Sequence, residues 1–191
     1  MLTDNYYKYK KVEFSGDSSY NGTHPETLSL KTTNGSSIGS GSPDINTAYG
    51  TFGEIGYWLN KAKCTTFPSE KTTTDKSTGG VFFGTGTTPA TLEDYKLENP
   101  IETGLSITNP SKYTFNDNGE GKWTYSASYV LTNTSGAEIN IHEIGIVTLP
   151  GTSSTSTYAV VLMERTVLTE PITIPAGGAK LVTVTVTQNM G

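Results

Sequence analysis

The chain has little cysteine, little histidine and few charges, and each shortage excludes a class of protein. Cys64 is the single cysteine among 191 residues, so no disulfide can form within the chain. Two histidines and one cysteine are too few ligands for a zinc site built from Cys and His. We therefore interpret Cys64 as a small core residue, and we expect no metal and no cofactor.

Basic residues are also scarce, because 13 Lys and Arg face 18 Asp and Glu and leave a net charge of -5. A protein that coats nucleic acid needs a basic face that neutralises phosphates. We therefore predict no nucleic-acid partner. The basic patch of Lys8, Lys10 and Lys11 lies among tyrosines, and we interpret it as a solvated amphipathic arm that can also dock on a partner.

Long apolar runs are missing as well. The segment Met1–Lys11 is polar and rich in tyrosine, so we expect neither a secretory signal nor a membrane span, and we expect synthesis in a cytoplasm. The triplets at Asn21, Asn34 and Asn133 match the glycosylation pattern formally. Without a secretion signal, we interpret their dipeptides as turn chemistry.

The chain is instead rich in Thr, Ser, Gly and Asn, and it has eleven Tyr, six Phe and two Trp. Thr and Gly are poor helix formers, whereas Thr fits a half-exposed strand well. The aromatic residues supply the apolar surface that a disordered chain lacks. This composition predicts an all-β protein with a packed core.

The strand pattern is clearest after residue 80. From Lys122 to Thr132, large apolar residues alternate with Thr and Ser, which predicts a strand with one buried face. The polar segment Asn116–Gly121 predicts a tight turn before it, so Tyr113–Phe115 should pair with this strand. Val81–Phe83 predicts another short strand.

Three further segments complete the predicted sheet. In Ile139–Val147 the apolar positions change parity across His142 and Glu143, which predicts a β-bulge there. Thr157–Val167 is almost continuously apolar and predicts a central strand covered on both faces. Ile172 to Val186 predicts a strand, a turn at Pro175–Gly178 and a long strand.

These strands predict an immunoglobulin-like or jelly-roll β-sandwich over residues 80–191. Residues 1–79 are predicted to form an N-terminal arm and an irregular or small β segment, with one short strand near Leu28–Thr32. Ile45–Lys63 fits either a helix or a strand pair, because helical spacing competes with three glycines. Thr65–Gly80 is polar and aperiodic, and we interpret it as a flexible surface loop.

Four patterns suggest chemistry, and each has a simpler structural interpretation that we favour. Gly35–Gly39 matches the nucleophile elbow G-x-S-x-G but lacks its flanking strand and helix. Gly84–Pro89 lacks the third glycine, lysine and helix of a phosphate-binding loop. His142 and Glu143 resemble an acid and base, but we expect Glu143 to pair within the sheet, with Arg165 as the candidate partner.

The fourth pattern is a loop with side-chain oxygens that could bind Ca²⁺, at Asp117, Asn118 and Glu120. Their spacing does not match a known calcium loop, and we interpret the segment as a simple hairpin. We therefore predict no catalytic, cofactor-binding or metal-binding residues. Trp58 and Trp123 can form a platform for sugar rings, but the alternation around Trp123 favours core packing.

The second half of the chain carries three segments that together suggest a family: FGTGTTPATLEDYKLENPI, INIHEIGIV and ERTVLTEPITIPAGGAKLVTVTV. With these segments, Gly80–Thr187 resembles a family of small virion proteins of tailed bacteriophages, including gut-associated ones. The opening MLTDNYYKYKKVEFSGDSS is similar to the start of such proteins. The resemblance implies a structural role at the capsid surface, neck or tail and transfers no catalytic residue.

The expected function is therefore that of a non-enzymatic structural virion protein, assembled in the host cytoplasm. The expected partners are copies of itself, in a homo-oligomer, and other virion proteins such as portal, neck, tail or capsid subunits. Edge strands and the segments Met1–Phe14 and Thr65–Gly80 are expected to add to neighbouring subunits. Two alternatives stay open: an adhesion or carbohydrate-binding module on the virion, and a small hydrolase that uses Ser36 or Ser37 with His24 or His142.

Overall fold

The computed structural model describes residues 1–15, 30–38, 45–46, 58–59, 61–63, 65–75, 77–119, 122–152 and 157–189. The described chain contains one helix and thirteen strands. Their bounds are α1 (Asp4–Ser15), β1 (Leu30–Lys31), β2 (Ser37–Ile38), β3 (Ile45–Asn46), β4 (Ala62–Lys63), β5 (Thr72–Thr73), β6 (Gly80–Gly84), β7 (Leu105–Asp117), β8 (Lys122–Asn133), β9 (Ile139–Thr148), β10 (Gly151–Thr152), β11 (Tyr158–Ala159), β12 (Val161–Ile174) and β13 (Ala179–Asn189).

The two sheets that contain the long strands form the body of the described chain. One has the strand order β12-β9-β6-β4, and the other has the order β13-β8-β7. The short strands form two further sheets, with the orders β3-β10-β11-β5 and β1-β2. The ring of Phe83 on β6 contacts the ring of Tyr129 on β8 edge to face, at 6.3 Å between centroids, so the inner faces of the two sheets meet there. The predicted all-β fold is therefore confirmed. The immunoglobulin-like or jelly-roll type stays a prediction.

The predicted hairpin is present. Tyr113 pairs with Ala127 and Phe115 pairs with Tyr125, as the alternating pattern required. Gly119 has a φ of 75°, which is the left-handed conformation that this turn needs, and its N–H donates to Asp117 Oδ1 at 2.8 Å. On β8 the buried positions alternate as predicted, with the most enclosed side chains at Ala127, Tyr129 and Leu131.

The apolar strand β12 lies in a different place from the one predicted. Its first residues are buried as expected, but the strand is at the edge of its sheet rather than in the centre. The N-terminal segment covers the outer edge of β12. Leu2 forms an antiparallel bridge with Glu164, and the N–H of Thr3 donates to Met163 O at 2.9 Å. A continuous apolar run therefore indicates burial but not the number of neighbouring strands.

The sheet is irregular at His142, as the change in parity predicted. Val167 pairs with Glu143, but the next pair joins Ile172 to Ile141. Residues 168–171 of β12 therefore lie opposite the single residue His142. The inserted residues belong to β12 and not to β9, where the sequence placed the bulge.

The N-terminal segment is not a free arm. It contains the helix α1, and Tyr9 of that helix is buried in the core. Thr3 Oγ1 donates to Leu162 O at 2.8 Å, and the side-chain amide of Asn5 donates to Leu162 O at 3.1 Å and Lys31 O at 2.7 Å. The described part of this segment is therefore bonded to its own chain, and its addition to a neighbouring subunit stays a prediction.

The segment from Thr65 to Gly80 also packs on its own chain, in contrast to the predicted flexible loop. Phe67 is buried, and its ring lies 5.1 Å from the ring of Phe82. Within this segment β5 pairs with β11, and β4 just before it pairs in parallel with β6. Strands from both sides of residue 80 therefore share sheets, and the division into 1–79 and 80–191 stays a prediction.

Several early predictions fall only partly on the described residues. The short strand predicted near Leu28–Thr32 corresponds to β1, which pairs with β2. Within Ile45–Lys63 the structure gives β3, β4 and the buried pair Trp58 and Leu59. Cys64 lies outside the described residues.

Candidate functional site

The densest group of charges lies around Arg165 on β12. Its side chain is 4% exposed, and the guanidinium group donates from Nε to Glu143 Oε2 at 2.8 Å. Nη1 donates to Asp94 Oδ2 at 2.9 Å, and Nη2 donates to the carbonyl of Thr88 at 3.2 Å. We call Glu143, Arg165, Asp94, Glu98 and Thr88 the arginine cluster. The predicted pairing of Glu143 with Arg165 is confirmed.

The carboxylate of Glu143 is fully buried and also accepts hydrogen bonds from the backbone. The N–H groups of Gly86 and Asn99 donate to Oε1 at 3.2 and 2.7 Å, and the N–H of Glu98 donates to Oε2 at 3.1 Å. Such convergent N–H groups suit an anion. The glycine-rich loop that resembles a phosphate-binding loop therefore surrounds a carboxylate of its own chain.

The glycines of this loop leave room for that carboxylate. A Cβ atom at Gly86 would lie 2.6 Å from Glu143 Oε1 and 2.6 Å from Glu98 Cβ. Leu97 anchors the same loop by its apolar side chain, which is buried above Gly145. The loop from residue 85 to residue 99 is thus fixed to β9 and β12 by polar and apolar contacts.

Two acidic side chains of the loop, Asp94 and Glu98, have hydrogen bonds that favour their charged form. Burial alone would raise the pKa of Asp94, but hydrogen bonds from the Thr91 N–H and from Arg165 outweigh it and lower that pKa below its ordinary value. Hydrogen bonds from the Thr88 hydroxyl and N–H lower the pKa of Glu98. Burial acts against the charge of Arg165, but its bonds to Asp94 and Glu143 raise its pKa. A network of fixed ions of this kind is typical of structural support.

His142 and Glu143 do not act on one site, because consecutive residues of a strand point to opposite faces. Glu143 joins the arginine cluster, whereas His142 lines a groove of about 420 Å³. Ile101 and Ile139 contribute apolar surface to the groove, and Thr85, Thr87 and Thr103 contribute hydroxyl groups. The groove can hold a small polar molecule or a side chain, and its carboxylate next to His142 is Glu138 rather than Glu143.

The serine loop does not have the geometry of a nucleophile elbow. Ser36 and Ser37 lie at the turn between the two short strands β1 and β2, not between a strand and a helix. The Ser36 N–H and carbonyl are used by Asn34 and Thr32 in this turn. His24 lies outside the described residues, and His142 lines a groove that neither serine lines.

The tryptophans have different environments. Trp58 is fully buried, and the ammonium group of Lys61 lies 5.0 Å from the centroid of its ring. Trp123 is half-buried and shares one face of β8 with Tyr125. Phe115 of the neighbouring strand lies 5.0 Å from Tyr125 between ring centroids and is 50% exposed. We call the rings of Trp123, Tyr125 and Phe115, which lie at one end of the sheet β13-β8-β7, the aromatic end.

The candidate calcium ligands of the hairpin turn, Asp117 and Asn118, have hydrogen-bond partners within the turn. Asp117 accepts the N–H of Gly119, and the N–H of Asn118 donates to Lys122 O at 2.9 Å, as in a simple hairpin. Glu120 lies outside the described residues. Across the described ranges no group of three or more His, Cys, Asp or Glu is placed to hold a metal ion. Within the same ranges no helix has the length and apolarity of a membrane span.

The sequence did not predict the roles of Asp94 and Glu98. Both lie in a loop, where acidic residues are common and usually solvated. The available signal was the rarity of arginine in an apolar strand. A buried guanidinium group has five N–H donors, so Arg165 needs more hydrogen-bond acceptors than Glu143 alone supplies.

In comparisons with known proteins, no family model, curated protein or solved structure matches this chain. The resemblance to tailed-phage virion proteins therefore stays a prediction.

Proposed function

We propose that this protein is a non-enzymatic structural component of a tailed-phage virion. Its place is the neck or collar, the tail or the capsid surface, and it acts by binding copies of itself and other virion proteins. Portal, neck, tail and capsid subunits are the partner classes. Nucleic acid and membrane have no part in this proposal.

The observation that supports the proposal most strongly is the contrast between the interior and the three-stranded sheet. In the arginine cluster, Arg165 and Glu143 are paired inside the protein, and Asp94 binds the same guanidinium group nearer the surface. The sheet β13-β8-β7 instead exposes large apolar side chains, with Phe115, Val130 and Leu181 at 50%, 38% and 63%. Adjacent apolar residues on an exposed face, such as the paired Val130 and Leu181, are typical of contact sites between proteins, whereas Phe115 lies on the other face of the sheet, opposite Tyr125.

The outer face of the pair formed by β8 and β13 carries mainly hydroxyl and apolar side chains, with one charged residue, Lys122, at its end. Its hydroxyl groups bond to one another across strands, at 3.0 Å between Ser126 Oγ and Thr185 Oγ1 and at 2.8 Å between Ser128 Oγ and Thr183 Oγ1. Charged residues are depleted in the centres of protein interfaces. This mostly uncharged face of β8 and β13 therefore supports contact with other subunits, and the proposal gives it the role that the sequence analysis gave to the two polar segments.

The test is quantitative mass spectrometry of gradient-purified phage particles from a lysate that expresses this chain. We expect its peptides to follow the major capsid protein through the gradient at a fixed ratio. A non-structural phage enzyme from the same lysate is the control and should stay at the top of the gradient. Recovery of the chain only with that enzyme would contradict the proposal.

The aromatic end favours a second function, an adhesion or carbohydrate-binding module. Exposed aromatic rings can stack on the apolar faces of sugars, and Phe115 and Tyr125 are adjacent at this end. We expect, for this second function, that Phe115→Ala removes binding on a glycan array, whereas Leu92→Ala, which truncates an exposed residue elsewhere, leaves binding unchanged. An array that is silent for the unmodified chain would remove this alternative.

A further inference from the structure

The strand β13 is a long edge strand. It pairs with β8 over eleven consecutive residues, and no described residue pairs with its other side. An unpaired edge presents a row of backbone N–H and C=O groups that can bind another strand. The edge is therefore a candidate site for sheet extension.

The pairing with β8 determines which groups of β13 point outward. The N–H of Asn133 donates at 2.8 Å to the carbonyl of Gly178, the residue directly opposite it, so alternate residues from this position bond to β8. Even-numbered residues of β13 consequently bond to β8. The odd-numbered residues have backbone groups that point to the free edge, and in the middle of the strand these are Leu181, Thr183, Thr185 and Thr187.

The other long edges have features that block pairing. On β7 the ladder is interrupted between Thr108 and Lys112, and Pro110 within this interruption has no N–H to donate. The edge of β12 is occupied where Leu2 bridges Glu164, and β12 also contains Pro171. Native proteins use such devices against unwanted association. On β13 there is no proline and no acidic residue, and Lys180 is the only charged residue.

The sequence of β13 is complementary to itself. Val182, Val184 and Val186 are buried on the inner face, and threonines alternate with them on the outer face. Antiparallel pairing of two copies through their outward groups places odd-numbered residues opposite odd-numbered residues. Hydroxyl groups then meet hydroxyl groups or Leu181 on one face, and valines meet valines on the other. No like charges are forced together.

We propose that β13 pairs antiparallel with β13 of a second copy, which joins two three-stranded sheets into one six-stranded sheet across a twofold axis. The pairing covers the exposed edge and gives Leu181 a second cross-strand neighbour, in addition to Val130 of β8. The inference rests on the proposed function for its setting, since a structural virion protein is present in repeated copies.

The test is sedimentation velocity of the full chain at increasing concentration, with two matched variants. Both variants lose the hydroxyl bond between Thr185 and Ser126. Thr185→Pro also removes an outward N–H, whereas Thr185→Val keeps it, so the valine variant is the control. We expect dimers for the unmodified chain and for Thr185→Val. Because each dimer loses two donors, Thr185→Pro should raise the dimer Kd about tenfold or more. A monomer at every concentration, or equal dimers for Thr185→Pro, would overturn the inference.

A second variant and a second readout cover the case in which the proline prevents folding. Leu181→Lys changes an exposed side chain and places like charges at the edge of both copies, so it should also weaken the dimer. Hydrogen exchange at the outward amides should slow as the unmodified chain dimerises. Full-strength dimers of Leu181→Lys together with unchanged exchange would overturn the proposal.

The results separate this inference from the proposed function. Dimers through β13 without incorporation into particles would support the edge pairing and contradict the virion role. Incorporation into particles by a chain that stays monomeric would contradict the edge pairing and leave the virion role supported.

Discussion

Arg165 on β12 donates from Nε to Glu143 on β9 at 2.8 Å, and both side chains are buried between the sheet and the loop of residues 85–99. The pair lies next to the irregular pairing at His142, where regular strand contacts are interrupted. The arginine cluster therefore connects β12, β9 and the loop of residues 85–99 at a point where the backbone pairing between β12 and β9 is interrupted.

Replacement of Arg165 by Met should destabilise the protein strongly. The substitution leaves Glu143 charged and buried without its cation, and the loss of one partner of a buried ion pair costs about 3–5 kcal/mol. Urea denaturation followed by circular dichroism measures this change in unfolding free energy.

Two further variants test the interpretation of that result. Lys180→Met removes an exposed charge and should change stability by less than about 0.5 kcal/mol. Arg165→Lys should recover only part of the loss, because an ammonium group cannot bond to Glu143, Asp94 and Thr88 with the planar geometry of a guanidinium. An Arg165→Met protein as stable as the unmodified chain would show that the cluster is not a stabilising element.

Replacement of Gly86 by Ala should also be destabilising, by about 1–3 kcal/mol, because the new Cβ meets Glu143 and Glu98 at 2.6 Å. The matched control is Gly136→Ala, where a Cβ meets no atom within 4 Å. Thermal unfolding of the two variants side by side is the measurement. Equal melting temperatures would indicate that the loop does not pack closely on the carboxylates.

Stability should fall in acid partly because of Asp94. The folded state lowers the pKa of this carboxyl group, so its contribution is fully present above the unfolded value of about 3.9 and is lost as the pH falls through the lowered pKa. At pH 7, Asp94→Asn should cost about 1–2 kcal/mol, since a charged hydrogen bond becomes a neutral one at a partly exposed position.

The difference between the unmodified chain and Asp94→Asn should therefore shrink as the pH falls below about 4. Urea denaturation at several pH values between 7 and 2.5 follows this difference. A gap that stays constant over the whole range would mean that the Asp94 charge has no part in stability.

The attachment of the N-terminal segment depends on Thr3. Its hydroxyl donates to Leu162 O and Met163 O, next to the register shift between Leu162 and Glu164. Thr3→Val keeps the shape but leaves buried carbonyls without this donor, which should cost about 1–3 kcal/mol. Limited proteolysis should then cut the N-terminal segment faster, whereas Thr3→Ser should behave like the unmodified chain.

The regular part of the fold was predictable from local patterns. The alternation around Tyr129 and the turn at Gly119 predicted β8 and its hairpin, because a period of two and a left-handed glycine are set by local chemistry. The position of β12 was not predictable, since burial of an apolar strand can come from a strand, a loop or the N-terminal segment.

The arginine cluster was predictable only in part. Glu143 and Arg165 were recognisable because charges are rare in apolar strands, but Asp94 and Glu98 lie in a loop that is distant in sequence from both. The packing of Phe67 and of the N-terminal segment on the rest of the chain could not be predicted from the sequence for a related reason. Polar, aperiodic segments carry no pattern that specifies long-range contacts.

The proposed virion role is tested most directly by cryo-electron microscopy of intact phage particles that carry this chain. We predict density for the two sheets in several symmetry-related copies at the neck, tail or capsid surface, with the sheet β13-β8-β7 in contact with a neighbouring subunit. Particles whose density is fully assigned to other proteins, without a place for this chain, would contradict the account.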